Sequence, residues 1–177
     1  MKTIAMLING EAVQAASGAT FERRNPLDGE VATRAPAASV ADAIAAVDAA
    51  ASAFPAWSAT GPGERRSLLM RAAQVLEDKH ATFVSAMAAE TGASAIWAGF
   101  NVHLAASGLM EAAALTTQIA GEVIPSDVPG SLAMGIRQPA GVVLGIAPWN
   151  APVILAVRAI AYRTAARVRQ HGRPERL

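Results

Sequence analysis

The 177-residue chain contains no cysteine, which removes a disulfide framework, a thiolate metal site and a thiol nucleophile at once. Its three histidines, His80, His103 and His171, are scattered with no pair at i and i+4, so they carry no metal-binding spacing and no metal is expected. No serine stands in a Gly-x-Ser-x-Gly elbow. Gly61-Pro62-Gly63 lacks the Lys-Ser/Thr of a phosphate loop and reads as a turn before a helix. Met1 to Gly10 has one lysine and only a short apolar stretch, less than the apolar region of a signal peptide, so the expected compartment is the cytoplasm. What the chain has in quantity is alanine, about a quarter of all residues, within a hydrophobic content of 53%. That amount suffices for a core and favours helices, but it supplies little apolar area per residue.

The most informative segment is Gln138 to Ile154, where an apolar run ends abruptly in an aromatic residue and an amide. Gly141 to Ala147 has the length and Val/Leu/Ile content of a strand covered on both faces, and Pro148 cannot donate to a ladder, so the strand should stop there. Asn150 then falls at the strand's carboxyl end, the side on which open parallel sheets bind ligands, and Pro152 suits the first turn of a helix. Two plainer readings stand beside this one. The strand could be purely structural, or Ala140 to Val157, eighteen residues in which Asn150 is the one strongly polar side chain, could span a membrane. Pro148 and Pro152 in the middle of such a span argue against the latter.

Elsewhere the local signals are consistent. Ile4 to Ile8 and Ala12 to Ala15 flank Asn9-Gly10, a two-residue hairpin signal, and Phe21 to Arg24 and Glu30 to Ala35 flank a turn at Asn25 to Gly29. Ser39 with Asp42 three residues on forms a capping-box-like helix entry. Val40, Ile44, Val47, Ala51 and Phe54 recur at helical spacing, and Pro55 is predicted to end the helix. Further helices are predicted from Pro62 to about Lys79, from about Ala81 to Glu90 with a stop at Gly92, and from Ser94 to about Ala120 with a stop at Gly121. Val123-Ile124 and Leu132 to Arg137 read as strands. Trp57 and Trp97 lie near apolar helical faces and are assigned to the core.

The string Pro139-Ala140-Gly141-Val142-Val143-Leu144-Gly145-Ile146-Ala147-Pro148-Trp149-Asn150 resembles the start of the NAD-binding domain of aldehyde dehydrogenases. Leu7-Ile8-Asn9-Gly10-Glu11, Asn25 to Glu30, Ala53-Phe54-Pro55-Ala56-Trp57 and Glu90-Thr91-Gly92 resemble that family's N-terminal landmarks in the same order. The similarity covers about residues 4 to 161. Its flavour, especially at Ser94 to Asn101, resembles the bacterial enzymes acting on salicylaldehyde, vanillin or benzaldehyde. The resemblance implies an α/β fold of hairpins and helices, followed by the first strand-helix unit of a Rossmann-like NAD-binding domain.

It further implies that Ile146, Ala147, Pro148 and Trp149 line the cofactor cleft, mainly through backbone atoms, and that Asn150 donates its amide to the oxygen of the tetrahedral intermediate. NAD or NADP would be the cofactor, bound weakly by a cleft with one wall, and an aldehyde the substrate. The strand pieces Val123-Ile124 and Leu132 to Arg137, separated by the turn-forming residues Pro125 to Gly130, would belong to an arm that pairs with a neighbouring subunit. Neither nucleic acid nor membrane is an expected partner.

Two features set the chain apart from the pattern. The family attacks its aldehyde with a cysteine thiolate and uses a general-base Glu, both further along than this sequence reaches, so the chain is expected to be a truncated form inactive alone. A non-catalytic module that binds an intact homologue is the alternative. After Ala161 the expected Gly-Asn-Thr segment is absent, and Tyr162 to Leu177 carries five arginines against Glu175, a net charge of +4 in a chain of +1. Such a run matches no nucleic-acid motif and reads as a flexible end, with a frame change in the coding DNA as its suggested origin. The expected division is 1–139, an N-terminal region with the arm; 140–161, the start of the cofactor domain; and 162–177, a divergent tail.

Overall fold

A computed structural model describes residues 1–165. The first 36 residues form short strands: β1 (Lys2–Thr3), β2 (Met6–Ile8), β3 (Glu11–Val13), β4 (Thr20–Arg24) and β5 (Val31–Pro36). β2 and β3 make the predicted hairpin, with Met6 opposite Val13. Asn9 and Gly10, at φ 53° and 80°, supply the two left-handed positions that its two-residue turn requires. β5 is the centre of a three-stranded sheet, antiparallel to β4 and parallel to β1.

Four helices follow: α1 (Val40–Ala59), α2 (Pro62–Asp78), α3 (His80–Thr91) and α4 (Ala95–Leu115). Beyond them come the antiparallel pair β6 (Glu122–Ile124) and β7 (Ala133–Gly135), and finally α5 (Pro152–Ala165). The core lies where α2, α4 and α5 meet. Leu69, Leu76 and Leu109 supply most of its bulk, and Ala73, Ala105, Ala112, Ala113, Ala161 and Ala165 let the helices approach closely. Each buried leucine contributes about 1.5–3 kcal/mol and each alanine far less, so alanine here sets the spacing and leucine most of the burial energy.

The entry to α1 is a complete capping box. The Ser39 amide and hydroxyl donate to the Asp42 carboxylate at 2.7 and 2.8 Å, and the Ala16 amide donates to its other oxygen at 3.0 Å. These donors, the Ser39 amide foremost, hold the Asp42 carboxyl below its ordinary pKa. A depressed folded-state pKa stabilises the protein fully above the unfolded aspartate pKa, and that contribution is lost as pH falls through the folded value. Asp42→Asn should therefore flatten the acid limb of a urea-midpoint profile below about pH 4. An unchanged limb would show that the box does not form in solution.

The Glu90-Thr91-Gly92 landmark is structural. Glu90 accepts from the Thr33 hydroxyl at 2.6 Å and pairs with Arg23 at 3.3 Å, joining α3 to the sheet. Gly92 ends α3 at φ 68°, and a Cβ there would lie 2.9 Å from the Pro26 ring. Gly92→Ala meets both left-handed strain and a clash, and should destabilise the chain by about 1–2 kcal/mol, read as a lower urea midpoint at unchanged slope.

Four expectations are corrected. Pro55 does not end α1, which runs on to Ala59. Pro55 removes the amide partner of the Ala51 carbonyl, and Ala51 lies on an exposed stretch of the helix, where water can replace the lost bond. α4 stops at Leu115, five residues before Ala120. There the buried Thr116 hydroxyl turns back to the Ala113 carbonyl at 2.8 Å and competes with the helical ladder. Gly141 to Ala147 joins no ladder among the described residues, since no neighbouring strand is there to take its backbone groups. Gly141, Val143 and Gly145 border a cavity against α5, while Leu144 and Ile146 are each 82% exposed, so only one of the two expected covering layers is present. Lastly, the tryptophans are not core. Trp57 is half-buried at that cavity, and Trp97 is 43% exposed.

Ala140 to Val157 is not one helix, because α5 begins only at Pro152. α1 is long and apolar enough to cross a membrane by length and composition alone, and its Val40, Ile44 and Val47 are exposed. Of the segment expected to form a divergent tail, Tyr162 to Ala165 continues α5, and Ala165 is buried in the core. The remainder lies outside the described residues.

Candidate functional site

The helix half of the predicted strand-helix unit is formed. Pro152 opens α5, the Leu155 amide donates to the Ala151 carbonyl at 3.0 Å, and Ala151 and Ile154 are buried. This anchors the chain immediately after Asn150. Before it, Gly145 sits against Ala159 so closely that a Cβ would approach the Ala159 Cβ to 2.9 Å. The segment Ile146 to Asn150 is thus held at both ends and exposed between them.

The five predicted site residues lie together on this exposed stretch. Ile146 and Trp149 are 82% and 70% exposed. None of the backbone groups of Ile146 to Trp149 takes part in a strand ladder, which suits one wall of a cofactor cleft built from main-chain atoms. Neither of the two principal cavities is bordered by these residues. One, of about 200 Å³, lies between Trp57, Pro139 to Gly145 and the end of α5. The other, of about 390 Å³, is an apolar groove between α3 and α5 lined by Phe83, Met87, Val153 and Val157.

A neighbour missed by sequence reasoning approaches from α4. Trp97 and Phe100 stack with ring centroids 5.6 Å apart and planes at 24°. The Trp97 indole N–H donates to the Asn150 carbonyl at 3.3 Å. An exposed aromatic pair therefore meets the main chain at Asn150, the residue that carries the one strongly polar side chain of the stretch. The available signal was the Trp-x-x-Phe spacing, which puts two rings on one helix face, but an apolar face does not reveal whether anything covers it. Of the histidines, His103 pairs with Glu77 at 3.4 Å on the surface, and His171 lies outside the described residues. Among the described residues no three His, Asp or Glu side chains group as metal ligands.

Residues 13–168 match the aldehyde dehydrogenase family. The chain belongs to that family. It is 62% identical over 161 residues to a vanillin dehydrogenase of Pseudomonas fluorescens, an alignment covering 91% of this chain and 33% of the relative. In structure it resembles a salicylaldehyde dehydrogenase from Pseudomonas putida G7 complexed with salicylaldehyde, at a TM-score of 0.89 and 48% identity, covering 93% of this chain and 34% of that one. It also resembles an NAD-dependent benzaldehyde dehydrogenase from Corynebacterium glutamicum, at a TM-score of 0.86 and 34% identity, over 91% and 35% of the two chains. The chain spans about a third of the length of these relatives and corresponds to the N-terminal part of aldehyde dehydrogenase structures. The α/β fold inferred from the landmarks is the observed one.

Proposed function

We propose that this chain supplies the N-terminal part of an NAD- or NADP-linked oxidoreductase that converts aromatic aldehydes to carboxylic acids, and that it is inactive alone. The observation that carries the reading is the exposed Trp97–Phe100 pair beside Asn150. It is an aromatic surface bonded to the main chain of the residue that carries the amide, in a chain whose relatives are vanillin and salicylaldehyde dehydrogenases. Asn150 is the catalytic residue, its amide donating to the oxygen of the tetrahedral intermediate. Trp97 and Phe100 present ring faces to the aldehyde's ring. Ile146, Ala147, Pro148 and Trp149 form one wall of the cofactor cleft. A bound nicotinamide cofactor would supply the hydride acceptor. The nucleophile lies outside this chain, which has no cysteine.

A second reading is favoured by one feature. β6 and β7 form an isolated two-stranded ribbon whose Val123, Val128, Leu132 and Met134 are 56–73% exposed. Apolar ribbon edges of this kind associate, and a chain that keeps the arm without the catalytic nucleophile would act by pairing with an intact homologue, or with copies of itself. The test that separates the readings is a chimera in which residues 1–161 replace the corresponding third of a vanillin dehydrogenase. The enzymatic reading expects aldehyde-dependent cofactor reduction by the folded chimera. The association reading expects none, together with co-purification of the 177-residue chain and a full-length relative.

A further inference from the structure

Trp97 does more than offer a ring face. Its indole nitrogen reaches across from the first turn of α4 to the main-chain carbonyl of Asn150, 53 residues away in sequence. That carbonyl belongs to the peptide plane between Asn150 and Ala151, and fixing the plane restricts the direction of the Asn150 side chain. The stretch before Asn150 has no ladder to hold it, so this bond matters more than it would beside a strand. Trp97 is itself held from three directions. Its amide donates to the Ser94 cap at 3.2 Å, its ring stacks on Phe100, and its carbonyl accepts the side-chain amide of Asn101 at 3.0 Å. Asn101 is wholly buried and cannot swing away to solvent.

We infer that Trp97 is a positioning residue for Asn150, a latch from α4 that holds the amide donor's loop in register with the aromatic surface. The inference rests on the reading of Asn150 as that donor. One ring then does two things: it faces the substrate's ring and it holds the group that acts on the substrate's oxygen. A ligand that shifts the Trp97 ring would thereby shift Asn150 as well, which is a route from aldehyde shape to reactivity.

The test is amide and indole hydrogen exchange on the 177-residue chain, so its outcome is independent of any activity. In the unmodified chain the Trp97 indole proton should exchange more slowly than that of Trp149, whose side chain is largely exposed. Trp97→Phe keeps a ring to stack on Phe100 and removes only the donor. It should speed exchange of the Leu155 amide, whose bond to the Ala151 carbonyl adjoins the latched peptide plane, about fivefold, the change expected for loss of one ordinary hydrogen bond, and leave the α4 amides from Ala105 to Ala113 unchanged. An indole proton on Trp97 that exchanges as fast as that of Trp149 would overturn the inference. So would unchanged Leu155 amide exchange in a folded Trp97→Phe chain. If the variant unfolds α4, the indole comparison in the unmodified chain decides alone. Failure of the oxyanion reading would appear in the chimera's kinetics and leave these rates untouched.

Discussion

Mixed with vanillin or salicylaldehyde and either NAD or NADP, the purified 177-residue chain should form no reduced cofactor above background, even at high protein concentration. The reason is chemical. Aldehyde oxidation by this family's route begins with attack by a thiolate, and the chain has no cysteine. A hydroxyl is a poor substitute near neutral pH without an activating base, and no serine here stands in a nucleophile elbow. Loss of a catalytic nucleophile costs on the order of 10⁶ in kcat in a well-studied hydrolase, which puts any residual rate below detection. Turnover that co-fractionates with the chain after host dehydrogenases are removed would demand a nucleophile that the sequence does not contain.

Asn150→Ala in the chimera should lower kcat about 10²–10³-fold and change KM little. A donor aimed at an oxygen that gains charge only as the tetrahedral intermediate forms is worth about 3–4 kcal/mol in a water-poor site and binds the ground-state carbonyl only weakly. The position supports this role. Asn150 stands one residue before the buried anchor Ala151 and beside the Trp97–Phe100 pair, so its main chain is fixed while its side chain is free to face a ligand. A variant with raised KM and unchanged kcat would instead assign Asn150 to uniform substrate binding.

Much of the fold was legible because its signals are local. Asn9-Gly10 specifies a tight turn by what its backbone can adopt, Ser39 with Asp42 satisfies helix-end amides, and Gly92 takes a left-handed position that other residues avoid. Each acts within a few residues and so can be read from a few. The expectations that failed depended on distant partners. Pro55 is tolerated where the residue whose carbonyl it deprives, Ala51, is exposed. Gly141 to Ala147 has the composition of a doubly covered strand, but composition records the environment a segment is suited to, whereas a ladder forms only where neighbouring strands exist. Leu144 and Ile146, exposed on the side away from α5, show which layer is missing.

The position of the candidate site was legible in part for the same reason. Pro148, Asn150 and Pro152 mark where an apolar run must end and a helix can begin, which located the amide without any tertiary information. The roles proposed for Ile146 to Asn150 rest on resemblance. Trp97 was misassigned because helical periodicity groups apolar residues on a face and cannot say whether that face meets the core or stays exposed. Its bond to Asn150 joins positions 53 apart and leaves no trace in either local pattern.

The most direct test of the account is the rate of reduced-cofactor formation by the chimera with vanillin set against a short aliphatic aldehyde. The account predicts turnover with a clear preference in kcat/KM for the aromatic substrate, and loss of much of that preference when Trp97 and Phe100 are both replaced by leucine. A folded, cofactor-binding chimera that oxidises neither aldehyde, or both alike, would contradict it.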